Sequence, residues 1–377
     1  MAALSHTALG TWSGGRFMHF GVALDDDRLA ALLRPDERIR TVITADAYGA
    51  GDADRLLGRA LAGLDRDAYS LVGAVGHDFY EGEREGAKGF PRFTDPRLRG
   101  EDGYADYLRM AAERSLERIG ADRFDLLLLH NPDRTGYTSA AVWDGMAALR
   151  DAGLTEALGV APGPANGFTL DVIDCFERFG DRIDWAMLIL NPLEPWPGEL
   201  ALDAAARHDV KVITRVVDYG GLFHDDVAPG HEFVERDHRT FRPQGWVERG
   251  RERLDAMRPI AERHGLTMLQ LACQWNLAHA PVECVVPTLI EEPARAKPIE
   301  AKRNELAGVP EEIVLTEDDV VEMRRIGDNT GSMTLKGASP DFEGDAPRAD
   351  AWPLTDELAA LAERWRIDPS RHLVRVA

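Results

Sequence analysis

The 377-residue chain is poor in cysteine and lysine and has no long apolar run. Its three cysteines, Cys175, Cys273 and Cys284, are widely separated and odd in number. That pattern excludes a disulfide scaffold and argues against a thiolate zinc site. The apolar stretches fall well short of the roughly 20 residues that cross a bilayer. The amino-terminal MAALSHT lacks a basic segment followed by an apolar core, so no signal peptide is expected and a reducing cytoplasm is the expected setting. Lysine occurs only at Lys88, Lys211, Lys297, Lys302 and Lys336. Arginine carries the remaining positive charge, and a guanidinium stays protonated and cannot act as a general acid. No GxGxxG follows an early strand, which disfavours a dinucleotide-binding open sheet. Basic residues are outnumbered 65 to 44, for a formal charge of −21. That field repels phosphate backbones and anionic lipid, so neither nucleic acid nor membrane is an expected partner.

What remains is an ordinary globular composition, 44% hydrophobic and 29% charged, arranged as strand and helix in alternation. Short apolar runs predict strands at Ile39–Thr44, Tyr69–Val75, Asp125–Leu129, Glu156–Val160, Trp185–Leu190, Lys211–Val217 and Cys284–Pro287. Each is followed by a segment with helical spacing, such as Asp52–Leu64, Tyr104–Ile119 and Ala140–Ala152. The others are Phe168–Phe179, Leu200–His208, Arg251–Leu277 (broken near Gly265) and Pro298–Ala307. One further strand at Phe20–Leu24, before a helix at Asp25–Leu33, brings the count to eight β→α units. Eight units predict an α/β fold, a (β/α)8 barrel over residues 1–327. Residues 221–250 are too long for an ordinary barrel connection and read as a lid. Residues 328–377 read as an extension, with a linker-like Asp328–Pro347 and a helix at Leu354–Trp365. It is expected to pack on the barrel or on a neighbouring subunit of a homo-oligomer.

In such a barrel the chemistry sits where strands end. Three polar clusters stand there: Asp46 with Tyr48, His130 after the run DLLLL, and Asp218 with Tyr219. Tyr48 beside Gly49 also suits plain turn packing, and Asp218 also suits a loop cap. Together they offer a phenol, an imidazole and a carboxylate for acid–base work on a carbonyl or hydroxyl group. The lid adds His224, Asp225, Asp226, His231, Asp237, His238 and Arg239, whose spacing matches no compact metal-ligand motif, so no metal is expected. Aromatic residues on the same loops, among them Phe79, Phe90, Trp196 and Phe223, suit either ring stacking against a substrate or loop packing.

TADAYGAGDADRLLGRAL (Thr44–Leu61) resembles the aldo-keto reductase signature D-T-A-x-x-Y-G, and DRFDLLLLHNPD (Asp122–Asp133) resembles the strand that ends in that family's catalytic histidine. LGTW (Leu9–Trp12), RVVDYGGL (Arg215–Leu222) and VVPTLIEEPARAKPIEAKRNELAG (Val285–Gly308) are similar to the family's first hairpin, phosphate loop and adenine-phosphate segment. The order of motifs also agrees. The stretch before DGYADYLRMAAERSLERIG looks most like the branch that oxidises aldoses. The resemblance implies NADP as hydride carrier, Tyr48 as proton donor or acceptor and His130 as the group that polarises the carbonyl. It implies cofactor contacts at Arg215, Gly221, Leu222, Pro287, Thr288, Lys302, Arg303 and Asn304, with Arg295 and Lys297 nearby.

The chain also departs from the family. The signature aspartate falls on Ile43, the catalytic lysine on Ala74, the Ser-Asn pair that holds the carboxamide on Ala161 and Pro162, and a glutamine on Met187. A free phenol titrates near 10 and needs a neighbouring cation to be tuned, and Lys88 is the lysine nearest in sequence that could supply one. Three readings follow. The first is an NADP-dependent oxidoreductase acting on a sugar-like or cyclic small molecule. The second is a lyase or isomerase using Tyr48, His130 and auxiliary groups among Asp46, Lys88, Asp218, His224 and His238, without nicotinamide turnover. The third is a non-catalytic binding barrel.

Overall fold

Apolar runs form eight parallel strands in a computed structural model that describes residues 4–85, 89–163, 169–242, 244–293, 297–330 and 354–369. The strands are β1 (Ala8–Gly10), β2 (Thr41–Ile43), β3 (Ser70–Val75), β4 (Phe124–His130), β5 (Thr155–Ala161), β6 (Trp185–Ile189), β7 (Lys211–Arg215) and β8 (Val282–Val286). They pair in sequence order. A parallel bridge from Thr7 to Val285, with the Val285 N–H donating to the His6 carbonyl, brings the last strand to the first. The result is the expected (β/α)8 barrel.

Period-two alternation sets what each strand does. In β4, Leu126 and Leu128 join the inner cluster with Ile43, Val72, Ala74, Trp185, Met187 and Ile213. Leu127 and Leu129 face the outer core under the helices. Both faces are buried, so the strand reads as an unbroken apolar run. The helices between strands are α1 (Asp26–Leu33), α2 (Asp52–Leu61), α3 (Tyr104–Ile119), α4 (Arg134–Thr138), α5 (Ala140–Asp151), α6 (Thr169–Phe179), α7 (Leu202–Arg207), α8 (Trp246–His264) and α9 (Met268–Leu277). After β8 come α10 (Ile299–Ala307), α11 (Glu317–Ile326) and α12 (Asp356–Arg364). Gly265, with φ of 63°, ends α8, and a Thr267/Gln270 capping box starts α9. The break expected near Gly265 within 251–277 is therefore present.

The first strand differs from expectation. It is Ala8–Gly10, and Phe20–Leu24 is a loop. Gly21 there has φ of 66°, outside strand geometry. Its neighbour Val22 donates its N–H to Glu291 of the β8 loop. Helix α11, with its Thr316/Asp319 capping box, was not expected. Helix α12 packs on α6 of its own chain, where Glu177 accepts from Arg364 and from the Trp365 indole. Most of the linker-like stretch before it lies outside the described residues.

One buried carboxylate organises the β2–α2–α3 corner. Asp54 accepts from Thr44 Oγ1 (3.0 Å), Ser115 Oγ (2.9 Å) and both Nε and Nη2 of Arg118 (3.1 and 3.0 Å). Removing one partner of a buried pair leaves the other charge uncompensated, at roughly 3–5 kcal/mol. Asp54→Ala is therefore expected to lower unfolding free energy by about that amount in urea titrations. Asp52→Ala, which removes an exposed pair with Arg55, should cost under about 1 kcal/mol.

Candidate active site

After β2 the chain turns through Tyr48 into α2 by way of Gly49 (φ 60°), Ala50 (φ 51°) and Gly51 (φ 91°). That turn lays the Tyr48 ring over the inner apolar cluster. β4 delivers His130 to the same mouth. The two rings meet edge to face, with centroids 5.7 Å apart and planes at 90°. Trp12 supports Tyr48 from the other side at 6.4 Å. Beneath them lie Ile43, Ala45, Ala74 and Leu128. The positions implied for the family's aspartate and lysine are thus inward-facing and apolar.

A second imidazole completes the cluster. His77 follows β3, and its ring lies 5.1 Å from that of His130. A β-carbon at the intervening Gly76 would sit 2.6 Å from the His130 carbonyl oxygen, so only glycine permits this approach. His77 Nδ1 is 3.1 Å from the Phe90 carbonyl and its Nε2 is 3.2 Å from the Asn131 amide nitrogen. Arg92 reaches in alongside: its Nε donates to the Asn131 carbonyl, and its Nη1 lies 2.9 Å from His77 Nδ1.

The electrostatics follow from burial. Burial and the Arg92 cation push His77 down to about 3. Burial, then His77, Arg92 and Arg215, holds His130 well below the usual imidazole range. Its Nδ1 is enclosed without a hydrogen-bond partner. Burial raises the Tyr48 phenol, and Arg215 opposes that rise. At neutral pH the site therefore presents a protonated phenol beside neutral imidazoles.

The other expected groups do not join this pair. Ala45 points inward, so Asp46 points outward into the helical layer. Its carboxyl is buried without a hydrogen-bond partner and is pushed up by burial and by Asp54. Asp218 accepts the N–H groups of Gly221 (2.8 Å) and Thr288 (2.7 Å). His224 is fully buried, with Nε2 2.8 Å from the Thr288 carbonyl. His238 packs against His19 and Phe20. These four correct the expectation of auxiliary acid–base groups, because each faces a loop or the helical layer. Lys88 lies outside the described residues. The lid itself is pinned. Asp237 accepts from the Gly21 N–H (2.8 Å), and Arg239 bridges Asp237, the Gly220 carbonyl and Glu292.

The cofactor positions are likewise committed. Ala161 and Met187 are buried and apolar, and Pro162 gives its carbonyl to Arg215 Nη2 (3.0 Å). Leu222 belongs to the outer core, and Pro287 is buried beside Thr288. The space at Gly221 is bounded by Arg239 and Glu292. Lys302 is fully buried, donates to the Ile290 carbonyl and pairs with Asp226. Arg303 donates to Leu32, Arg34 and Asp36 (2.9, 2.7 and 2.8 Å). Lys297 donates to the His224 carbonyl (3.0 Å) and pairs with Glu305. Asn304 is exposed, and Arg295 lies outside the described residues. As placed, Lys297, Lys302 and Arg303 do not fit a dinucleotide phosphate, because each has an internal carboxylate partner, and Asp218 already takes the loop amides.

His77 and Arg92 were not singled out from the sequence. The signal for His77 was present, a polar residue directly after the third strand. Arg92 carried none, because it arrives from a long loop.

Residues 8–306 match the model of the Aldo/keto reductase family. A D-threo-aldose 1-dehydrogenase of a Pseudomonas species is 30% identical over 147 residues, 37% of this chain and 45% of that protein, so the match spans less than half of the relative. An aldo-keto reductase of Bacillus subtilis is 26% identical over 284 residues, 72% of this chain and 77% of that one. Among solved structures, a glycerol dehydrogenase from Gluconobacter oxydans superposes with a TM-score of 0.65 at 24% identity, covering 86% of this chain and 91% of its own. An aldo/keto reductase from Klebsiella pneumoniae, in complex with NADP and acetate, has a TM-score of 0.57 at 20% identity, covering 86% and 92%.

The depressed imidazole has a consequence for stability. Below about 6.5 the unfolded chain protonates its histidines, while folded His77 stays neutral down to about 3. Stability from this group is present at neutral pH and falls as the solution is acidified, by up to about 1.4 kcal/mol per pH unit. His77→Gln removes that contribution, so the wild-type advantage over the variant should narrow between about pH 7 and 5. Urea unfolding at several pH values measures it, and a constant gap would contradict the assignment.

Proposed function

Because the chain belongs to the aldo/keto reductase family, we propose that it is an enzyme acting at a carbonyl or hydroxyl carbon of a sugar-like or cyclic small molecule. The reading is carried by the edge contact between Tyr48 and His130 at the barrel mouth. The phenol, kept protonated, donates to the substrate oxygen. The neutral His130 ring accepts a proton from the adjoining carbon or hydroxyl, and the nearby guanidinium of Arg215 favours negative charge developing on that oxygen. Loss of the carbon proton to His130 leaves an enediol, and return of that proton from the imidazolium to the neighbouring carbon, as the phenolate recovers a hydroxyl proton, completes an isomerisation that needs no hydride. The internal partners of Lys302, Arg303 and Lys297, and the carboxylate on the β7 loop amides, favour this non-redox reading.

A second reading, hydride exchange with NADP, is favoured by the family membership and by the NADP complex of the Klebsiella relative. Under either reading the barrel, residues 1–327, is the working unit and residues 328–377 are its extension. The three buried free thiols accord with a cytoplasmic setting.

Two measurements separate the readings. A panel of aldoses, ketoses and polyols is incubated with the full chain in D2O and followed by NMR. Deuterium should enter at the carbon beside the carbonyl, and Tyr48→Phe should slow that exchange by about 10²–10⁴-fold. Titration calorimetry with NADPH should show no binding. A clear NADPH isotherm, together with absent exchange, moves the assignment to the oxidoreductase.

A further inference from the structure

Most arginines held in the interior grip a carboxylate. Arg99 pairs with Asp78, Arg118 with Asp54, Arg239 with Asp237 and Glu292, and Arg66 with Asp125. Arg215 and Arg92 do not. Among the described residues neither has a carboxylate within ion-pairing distance; both bond to backbone carbonyls, Arg215 to Pro162 and Gly163 and Arg92 to Asn131 and Phe90. In a chain with 21 more acidic than basic residues, a partner carboxylate is the easiest group to supply. Its absence at two positions beside one mouth therefore carries information.

The geometry says what the vacancy suits. Arg215 ends β7 and lines a cavity with Pro162, Gly163, Met187 and Ile189. Among the described residues its hydrogen bonds run from Nη2, to the Pro162 and Gly163 carbonyls. The other walls of the cavity are mainly apolar, among them Val172, Leu188 and Ile189. A guanidinium presents five N–H donors in a planar fork that matches carboxylate and phosphate oxygens two at a time. Burying it without an anion is costly, and a ligand that brings the anion removes that cost. Arg215 is close enough to act electrostatically on both Tyr48 and His130, and Arg92 acts on His130. Ile213, two residues earlier on β7, belongs to the inner cluster on which Tyr48 packs, so Arg215 stands over the same barrel mouth as the reacting pair.

We propose that the substrate is an oxyanion-bearing polyol, a sugar acid or sugar phosphate, whose carboxylate or phosphate is taken by Arg215 with Arg92 adding to the positive field. This names the substrate class for the function proposed above and rests on that reading.

Calorimetry on the full chain tests it, with D-glucuronate, D-glucose 6-phosphate and neutral D-glucose as probes. At least one charged probe should bind about tenfold or more tightly than glucose, the scale of one charge-assisted hydrogen bond. The preference should shrink when salt rises from about 0.05 to 0.5 M. Tighter binding of the glucuronate assigns a carboxylate ligand, and of the glucose phosphate a phosphate one. Arg215→Gln should abolish the preference while Arg215→Lys keeps part of it, and Arg92→Gln should weaken it if the first variant is unstable. Equal affinity for glucose, no binding of either charged probe, or an undiminished preference in folded Arg215→Gln overturns the proposal. Tyr48→Phe should leave the affinity ratio intact. Unchanged turnover in that variant would instead refute the enzymatic reading while leaving anion recognition standing.

Discussion

Closure of the strand ring is the constraint on which everything else depends. Eight short strands, five of them only three to five residues long, become one barrel because Thr7 and Val285 pair and the His6 carbonyl takes the Val285 amide. Closure removes the sheet edges and makes two environments. One is an inner cluster made largely of small and branched side chains, and the other a thicker outer core under the helices. It also forces the ends of β2, β3, β4 and β7 to one rim. Tyr48, His77, His130 and Arg215 are far apart in sequence and share a mouth only for this reason.

Charge is then distributed in two contrasting ways around that rim. On the β7, β8 and β1 side, acids and bases cancel internally: Asp237 and Glu292 hold Arg239, Asp226 holds Lys302, and Asp218 takes backbone amides. Around the reacting pair, Arg92 and Arg215 bond to backbone carbonyls without a carboxylate partner among the described residues, and the imidazoles are neutral. Beneath them the floor is hydrocarbon, so burial raises the phenol and the Arg215 cation opposes that rise. The positions that the resemblance implies for the family's aspartate and lysine, Ile43 and Ala74, belong to that floor.

Much of this was legible in the sequence. Strand–helix alternation gave seven of the eight strands within a few residues, because strands buried on both faces announce themselves as apolar runs such as that of Phe124–His130. The first strand escaped, since Ala8–Gly10 is too short to show a period. Tyr48 and His130 were legible because strand ends locate them. The lid histidines misled, because polarity in a loop says nothing of which way it folds: His224 turns to a backbone carbonyl and is fully enclosed. Asp46 misled for a simpler reason, since one residue's difference along an extended segment reverses the side a group faces. Arg92 was invisible because its placement depends on the long β3–α3 loop folding back on Asn131.

The stitched lid also decides how the rim can move. Asp237 fastens the loop after β7 to Gly21 of the loop after β1, and Arg239 fastens it to Glu292 after β8. Three adjacent rim segments are thereby sewn into a single wall. A displacement of any one of the three must therefore break or drag the bonds that hold the other two.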